Sequence, residues 1–233
     1  DPGCAQARDI TTLVKALCKG VAHHPATLAL LAMLVLGLDW PTLCQLPVWT
    51  QGPAKWPGPG RAFGSDEAHF NGNGIWCQEK RFALQRWHQV ANSQVHRGLN
   101  ALLPEVHFYL LLPLPAQLRP LVVEDRLQPV TRQTLQQTLG ELCQRYRLTL
   151  TLAQLSRYLA QWLKRHQVDE AISGLLRGKT AQQCAPLAYS HLPHEAVLRV
   201  WHTYLAELGC ATDPTPAPDT AIGSRLYPDC EAL

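Results

Sequence analysis

The sequence predicts a mainly α-helical domain that carries a small β-hairpin or sheet. Long stretches in both halves repeat apolar residues every three or four positions, which is the spacing of one helix face. Stretches of clear strand character are few, and the best one, residues 106–115, is short and ends in prolines. Apolar residues make up 46% of the 233-residue chain and charged residues 17%, a balance that excludes a disordered protein.

Two helices are predicted near the start of the chain. Residues 8–20, RDITTLVKALCKG, predict an amphipathic helix in which Asp9 is the cap and Gly20 the end. Residues 23–38 predict a second helix that begins near Pro25. Because apolar residues cover every face of this second helix, we expect it to lie in the core.

The middle of the chain is less regular. DWPTLCQL at 39–46 predicts a short turn of helix, and the Gly- and Pro-rich stretch 47–75 predicts a loop or a β-hairpin insertion. Residues 75–104 contain a possible strand and then return to a helical period. VHFYLLLPLP at 106–115 is aromatic, aliphatic and stopped by proline, so it predicts a strand.

The second half returns to helices. Thr131 is predicted to cap a helix with apolar residues at helical spacing, and residues 151–167 predict another helix of the same kind. Asp169 is predicted to cap a short helix, and Gly209 to end the last one.

We expect a single domain over residues 1–209, with the stretch 47–75 as an insertion in it. The remaining residues, 210–233, are rich in proline and predict an extended arm or linker. The eight cysteines include no CxxC pair and no zinc-finger spacing. We therefore expect buried free thiols, no metal site and no cofactor.

Charge and hydropathy narrow the classes of partner. The net charge is +3, and residues 129–209 hold nine Lys or Arg against five Asp or Glu, which permits a nucleic-acid partner. Most of the basic residues are arginine, whose fork matches a phosphate. The longest apolar run, residues 28–38, is too short to span a bilayer, and we expect no signal peptide. We therefore expect a cytoplasmic protein without a membrane partner.

Five short motifs occur in order along the chain. They are LGLDWPTL at 36–43, YLLLPLPAQL at 109–118, LAQLSRYLAQWL at 152–163, ISGLLRGKT at 172–180 and YSHL at 189–192. In order and spacing they resemble the catalytic domain of the tyrosine recombinases, the phage-integrase family, from about residue 10 to residue 209. The interval from Ser156 to Tyr189, 33 residues, is close to the usual interval in that family.

The resemblance implies a helical scaffold that holds a scissile DNA phosphate. In this family a tyrosine attacks the phosphodiester and becomes joined to the 3′ phosphate, and Tyr189 stands at that position. Two arginines hold the non-bridging oxygens, since guanidinium matches phosphate in geometry and stays charged. A histidine or lysine assists the proton transfer.

The sequence departs from the family at the positions that would hold the phosphate. The first arginine position is Asp39, whose carboxylate would repel a phosphate, and the second is Ser156. The histidine position before it is Ala153. Arg157 follows Ser156, but one helical step is about 100°, so we expect Arg157 to face another direction. Lys179 stands at or beside the second histidine position and can donate to a phosphate.

Four residues are therefore candidates for catalysis: Tyr189, Lys179, His191 and Arg157. A phenol with a pKa of about 10 is a poor nucleophile without help, so a packing role for Tyr189 beside a surface His191 stays open. The candidate DNA-binding residues are basic side chains of the helical half: Arg132, Arg145, Arg147, Lys164, Arg165 and Arg177. They predict either a surface that follows DNA phosphates or the solvated faces of helices.

Three hypotheses follow for function. The preferred one is a DNA-binding protein with a degenerate, catalytically impaired tyrosine-recombinase-like domain, accessory to or regulatory for a mobile element, with double-stranded DNA as its partner. The second is an active, divergent site-specific recombinase that uses Tyr189 as the nucleophile. The third is a helical module that binds protein and not nucleic acid. The C-terminal tail, residues 211–233, is a candidate to dock on a second copy of the chain or on a recombinase partner.

Overall fold

The structure is a computed structural model, and it describes residues 5–20, 24–59, 61–78, 81–89, 106–122, 130–180, 182–210, 212 and 221–223, with the backbone alone at 188 and 189. Within these ranges the chain is mainly helical and carries two small sheets. The predicted fold class is confirmed at this level.

The helices and strands have the following bounds. The helices are α1 Ala7–Gly20, α2 Pro25–Leu36, α3 Trp40–Gln45, α4 Arg132–Tyr146, α5 Leu152–Arg165, α6 Glu170–Leu176, α7 Ala185–Tyr189 and α8 His194–Leu208. The strands are β1 Val48–Trp49, β2 Gly74–Gln78, β3 Arg81–Trp87, β4 Val106–His107, β5 Tyr109–Pro113, β6 His191–Pro193 and β7 Ala221–Gly223. Two 3₁₀ turns cover Ser65–Phe70 and Ala116–Val122.

Side-chain caps fix where the helices begin. Thr131 accepts a hydrogen bond from the backbone amide of Thr134 at 3.1 Å, and Asp169 accepts from two amides of α6, so both predicted caps are confirmed. Gly209 ends α8 in the left-handed conformation, also as predicted. The predicted cap at Asp9 is wrong: α1 begins at Ala7, and Asp9 lies in its first turn, where a carboxylate faces the positive end of the helix dipole.

Helix α2 is the centre of the hydrophobic core. All its residues from Ala26 to Leu36 are buried, as the all-round apolar pattern predicted. It packs against α1, α4, α5 and the second 3₁₀ turn. The Tyr204 hydroxyl on α8 donates to the carbonyl of Leu34 at 2.7 Å, which ties the last long helix to this centre.

The larger sheet has the strand order β1-β2-β3-β5, in which β1 and β2 are parallel and the other pairs antiparallel. The predicted strand in 106–115 is confirmed as β5, with β4 just before it. The predicted return to helix after the possible strand is wrong for residues 81–87, which form β3. Because the sheet has a core on each side, residues 82–86 are all buried, and the alternation typical of a strand is absent from their sequence.

The second core lies between the sheet and the Gly- and Pro-rich stretch 47–75. It is an aromatic cluster of Trp49, Phe63, Phe70 and Trp76, with Trp56 and Trp87 at its edge. Gln85 of β3 fixes it: its amide accepts from the Trp76 indole at 2.9 Å and donates to two carbonyls of the stretch. The stretch is not a β-hairpin, since β1 and β2 pair in parallel.

The smaller sheet includes a strand from the Pro-rich tail. Strand β7 pairs with β6 in antiparallel and with β4 in parallel, and Ala221 and Ile222 are buried. This part of the predicted tail therefore packs on its own chain. The six cysteines in the described ranges are free thiols. A search of these ranges finds no helix with the length and hydropathy needed to cross a membrane.

Candidate nucleic-acid interface

Two adjoining cavities on the helical half bring basic side chains together. The first, of about 280 Å³, is lined by Arg132 and Arg157, and the second, of about 520 Å³, by Arg157, Lys164 and Arg177. Arg157 lines both cavities, so they meet at this side chain. The surface that Arg132, Arg157, Lys164 and Arg177 line is here called the basic groove. Each cavity also has one carboxylate, Asp39 in the first and Glu170 in the second.

Helix geometry places these four cations. Arg157 and Lys164 are seven residues apart on α5, which is two helical turns, so they lie on the same face about 10.5 Å apart. Arg132 is the first residue of α4, directly after its cap, and Arg177 directly follows α6. All four side chains are exposed.

The other predicted DNA-binding residues lie outside the groove. Arg145 and Arg147 are exposed at the far end of α4, about 20 Å from Arg132 along the helix axis. Arg165 is exposed at the end of α5, and its guanidinium hydrogen-bonds the Tyr158 hydroxyl. Three of the six predicted DNA-binding residues, Arg132, Lys164 and Arg177, therefore line the basic groove together with Arg157.

The positions that the recombinase resemblance assigned to phosphate binding lie in the first cavity. Asp39, Ala153 and Ser156 all line it, although 114 residues separate the first two in the sequence. Arg157 lines this cavity beside Ser156, and it also lines the second cavity, which Ser156 does not, so the expected difference in direction stays a prediction. An arginine side chain is long enough to reach the space that the neighbouring turn of the helix borders.

The carboxylate of Asp39 has a local structural role. It caps α3 by accepting a hydrogen bond from the Thr42 backbone amide at 3.0 Å. Hydrogen bonds from the Thr42 side chain and backbone lower the pKa of Asp39, so it is charged at neutral pH. The cavity therefore has an anion at the position that the resemblance assigned to an arginine.

The two cavities of the groove are not lined by Lys179 or His191, two of the other candidate catalytic residues. Tyr189 is the last residue of α7, and its side chain lies outside the described part of the structure. Lys179 is half-buried in the turn after α6, and His191 is half-buried at the start of β6. Neither lines the two cavities that contain Arg157. Among the described side chains, Lys179 and His191 therefore lie apart from Arg157, and the placement of the Tyr189 hydroxyl relative to them stays a prediction.

Two basic residues that the sequence reasoning missed lie behind α6 and α7. Arg86 of β3 is 2% exposed, and its Nη2 donates to the carbonyl of Leu176 at 2.6 Å. Burial lowers the pKa of Arg86 to about 10, so it is still charged at neutral pH. His88 is buried, and its Nε2 lies 3.0 Å from the carbonyl of Leu187, two residues before Tyr189. Arg86 lies in strand β3 and His88 directly follows it, and since this stretch was predicted to return to a helical period, no sequence signal placed them here.

The described residues contain no group of three His, Cys, Asp or Glu side chains that could hold a metal ion. Comparison with models of known families, with curated proteins and with solved structures finds no match to this chain.

Proposed function

We propose that this chain binds double-stranded DNA through the basic groove, as a degenerate tyrosine-recombinase-like protein that is accessory to or regulatory for a mobile element. The observation that carries the proposal is the convergence of Arg132, Arg157, Lys164 and Arg177, from three helices, on one concave surface. Cations at several positions along a surface neutralise successive phosphates of a duplex and release its counterions.

The groove cations are available to a phosphate backbone. Within the described ranges the ion pairs are His166–Glu207 and Glu195–Arg199, and neither uses a groove side chain. Three of the four cations are arginines, whose planar fork can donate two parallel hydrogen bonds to one phosphate. Four cations against Asp39 and Glu170 leave the groove with a net charge of +2.

The proposal includes the loss of strand cleavage. The first cavity has Asp39 and Ser156 at the positions where the family has its two arginines. A phosphate there would lack the bidentate clamp that stabilises the transition state. Arg132 and Arg157 border the same space and can hold a backbone phosphate without completing that clamp.

Salt dependence of binding tests the proposal. Fluorescence anisotropy with a short mixed-sequence duplex would be measured between about 50 and 200 mM salt. If each groove cation neutralises one phosphate, the slope of log K against log salt is about −3.6, and affinity falls about 150-fold over this range. The change Arg157→Ala should reduce the slope to about −2.7, while Arg145→Ala, at the far end of α4, serves as the matched control and should leave it unchanged. Absence of binding at 50 mM salt, or equal effects of the two changes, would contradict groove binding.

A second candidate function is DNA strand cleavage by Tyr189. One observation favours it: Arg86 and His88, both basic and buried, contact the carbonyls of Leu176 and Leu187, on either side of the turn that leads to α7. Incubation with a nicked suicide duplex and denaturing gel electrophoresis would trap a covalent adduct. An adduct that Tyr189→Phe abolishes would establish cleavage and refute the accessory role.

A further inference from the structure

Arg86 is a buried charge without a counter-ion among the described residues. Its side chain is 2% exposed, and the contact that satisfies it is a neutral carbonyl, that of Leu176. Among the described residues, its Nε atom has no hydrogen-bond partner. A buried charge without a counter-ion is strongly unfavourable because of its desolvation, and one neutral carbonyl offsets only part of that cost. Stability therefore gives no reason for an arginine at this position.

The contact of Arg86 lies on the turn that follows α6. The carbonyl it binds belongs to Leu176, the residue directly before Arg177 of the basic groove. Two backbone hydrogen bonds close the turn, from the amide of Gly178 to Leu175 and from that of Lys179 to Gly174, both at 2.9 Å. Among the described residues, the next regular element after this turn begins at residue 185. The hydrogen bond from Arg86 is the contact through which the sheet supports the turn.

Gly178 allows the arginine to approach this closely. Its φ is +70°, a left-handed conformation that side chains other than glycine rarely adopt. A Cβ atom at this position would lie 2.7 Å from Nη1 of Arg86, well inside contact distance. The backbone of the turn is thus shaped around the guanidinium.

We propose that Arg86 is a positioning residue of the basic groove, which holds the turn Leu176–Lys179 against the sheet so that Arg177 meets a DNA phosphate. The inference rests on the proposed function, because it assigns Arg86 to the same DNA contact. Arg86 acts through the turn, since it is buried and does not line the groove. The long side chain of arginine spans from β3 to the turn, and its fork fixes the direction of the Leu176 carbonyl.

The test replaces the charge with an apolar side chain of similar length. Arg86→Met removes a desolvated charge and also leaves the Leu176 carbonyl without its donor, so the two effects oppose each other and the melting temperature should change by less than about 5 °C. It should accelerate amide hydrogen exchange at residues 177–180 and reduce the salt slope of duplex binding by about 0.9, the share of one phosphate contact. Arg81→Met, at the other end of β3 and outside the groove, is the matched control and should change neither readout.

A second variant keeps the proposal falsifiable if Arg86→Met does not fold. Arg86→Lys keeps the charge and loses the fork, so it should also loosen the turn and weaken binding. A melting temperature that falls by more than about 5 °C with Met, or unchanged exchange and unchanged salt slope with either variant, would overturn the positioning role. If the wild-type chain binds no duplex, the proposed function fails. The exchange measurement then decides separately whether Arg86 holds the turn.

Discussion

Asp39 can be tested with two substitutions that remove the same charge. Asp39→Asn keeps an oxygen that can accept the Thr42 amide, whereas Asp39→Ala removes both the charge and the cap. Asp39 lines the first cavity with Arg132 and Arg157, so the two variants change the groove charge equally. A comparison of them separates the contribution of the carboxylate to folding from its effect on DNA.

The expected magnitudes differ for the two properties. Loss of an N-cap lowers the free energy of unfolding by about 1 kcal/mol, which for a chain of this size lowers the melting temperature by about 2–4 °C. Asp39→Ala should show this loss, and Asp39→Asn should be close to wild type. A carboxylate about 8 Å from a phosphate repels it by roughly 0.5 kcal/mol in water, so both variants should bind duplex at least about twofold more tightly.

Differential scanning calorimetry and anisotropy at about 50 mM salt would measure the two effects, since low salt leaves the repulsion least screened. The gain in affinity should shrink at higher salt for both variants. If both variants bind duplex as the wild type does, then Asp39 does not face a bound phosphate, and the placement of DNA over the first cavity is refuted. If Asp39→Asn loses as much stability as Asp39→Ala, the capping role is refuted instead.

Three further changes test the fold around the groove. Gln85→Leu removes two buried hydrogen bonds and one partly buried one, and it leaves an indole and two carbonyls without their partner. Urea denaturation should therefore show a loss of about 3 kcal/mol in the free energy of unfolding; a loss below about 1 kcal/mol would contradict this role. A hydrogen bond from Cys210 lowers the pKa of Cys18 to about 7, so the rate of Cys18 alkylation should be half-maximal near that pH. The change Cys210→Ala should move this midpoint toward pH 9. A wild-type midpoint near pH 9 would refute the contact. Burial, with the nearby charge of His107, lowers the pKa of His194 from 6.5 to about 4, so between these values the unfolded chain binds a proton that the folded chain does not. The free energy of unfolding should therefore fall by roughly 3 kcal/mol as pH drops through this window. In thermal melts, the melting temperature of His194→Gln should depend less on pH than that of the wild type.

The helical half of the fold could be predicted because its signals are local. Thr131, Asp169 and Gly209 mark helix ends with their own side chains or backbone, and the structure has them in these roles. Helix α2 was predicted as the core because its apolar pattern needs no knowledge of its neighbours. The cations of the groove could be named as a class, although which of them converge depends on how α4, α5 and α6 pack.

The sheet and its contacts depend on residues distant in the sequence. Strand β3 contains Gln85 and Arg86, which are polar and buried, so neither helical nor strand periodicity describes it. Gln85 is satisfied by the stretch 47–75, and Arg86 by a carbonyl 90 residues away. Contacts between residues so far apart in the sequence form only in the folded chain. Residues 81–87 were therefore predicted wrongly, and Arg86 was not recognised as a candidate.

The local fold gives a physical reason for a carboxylate at position 39, where the resemblance predicts a phosphate-binding arginine. Helix α3 begins with Trp40 and Pro41, and the Asp39 side chain caps the amide of Thr42, since the proline before it has no backbone N–H. Arginine has no acceptor, so an arginine at position 39 would add a cation to the cavity and remove the cap at the same time. Arg132 on α4 and Arg157 on α5 line the same cavity, and both helices have side-chain caps of their own. These two helices therefore supply cations to the cavity without loss of a cap. A groove of this kind can hold a DNA backbone without the two-arginine clamp that cleavage requires, which is the physical basis of the proposed accessory role.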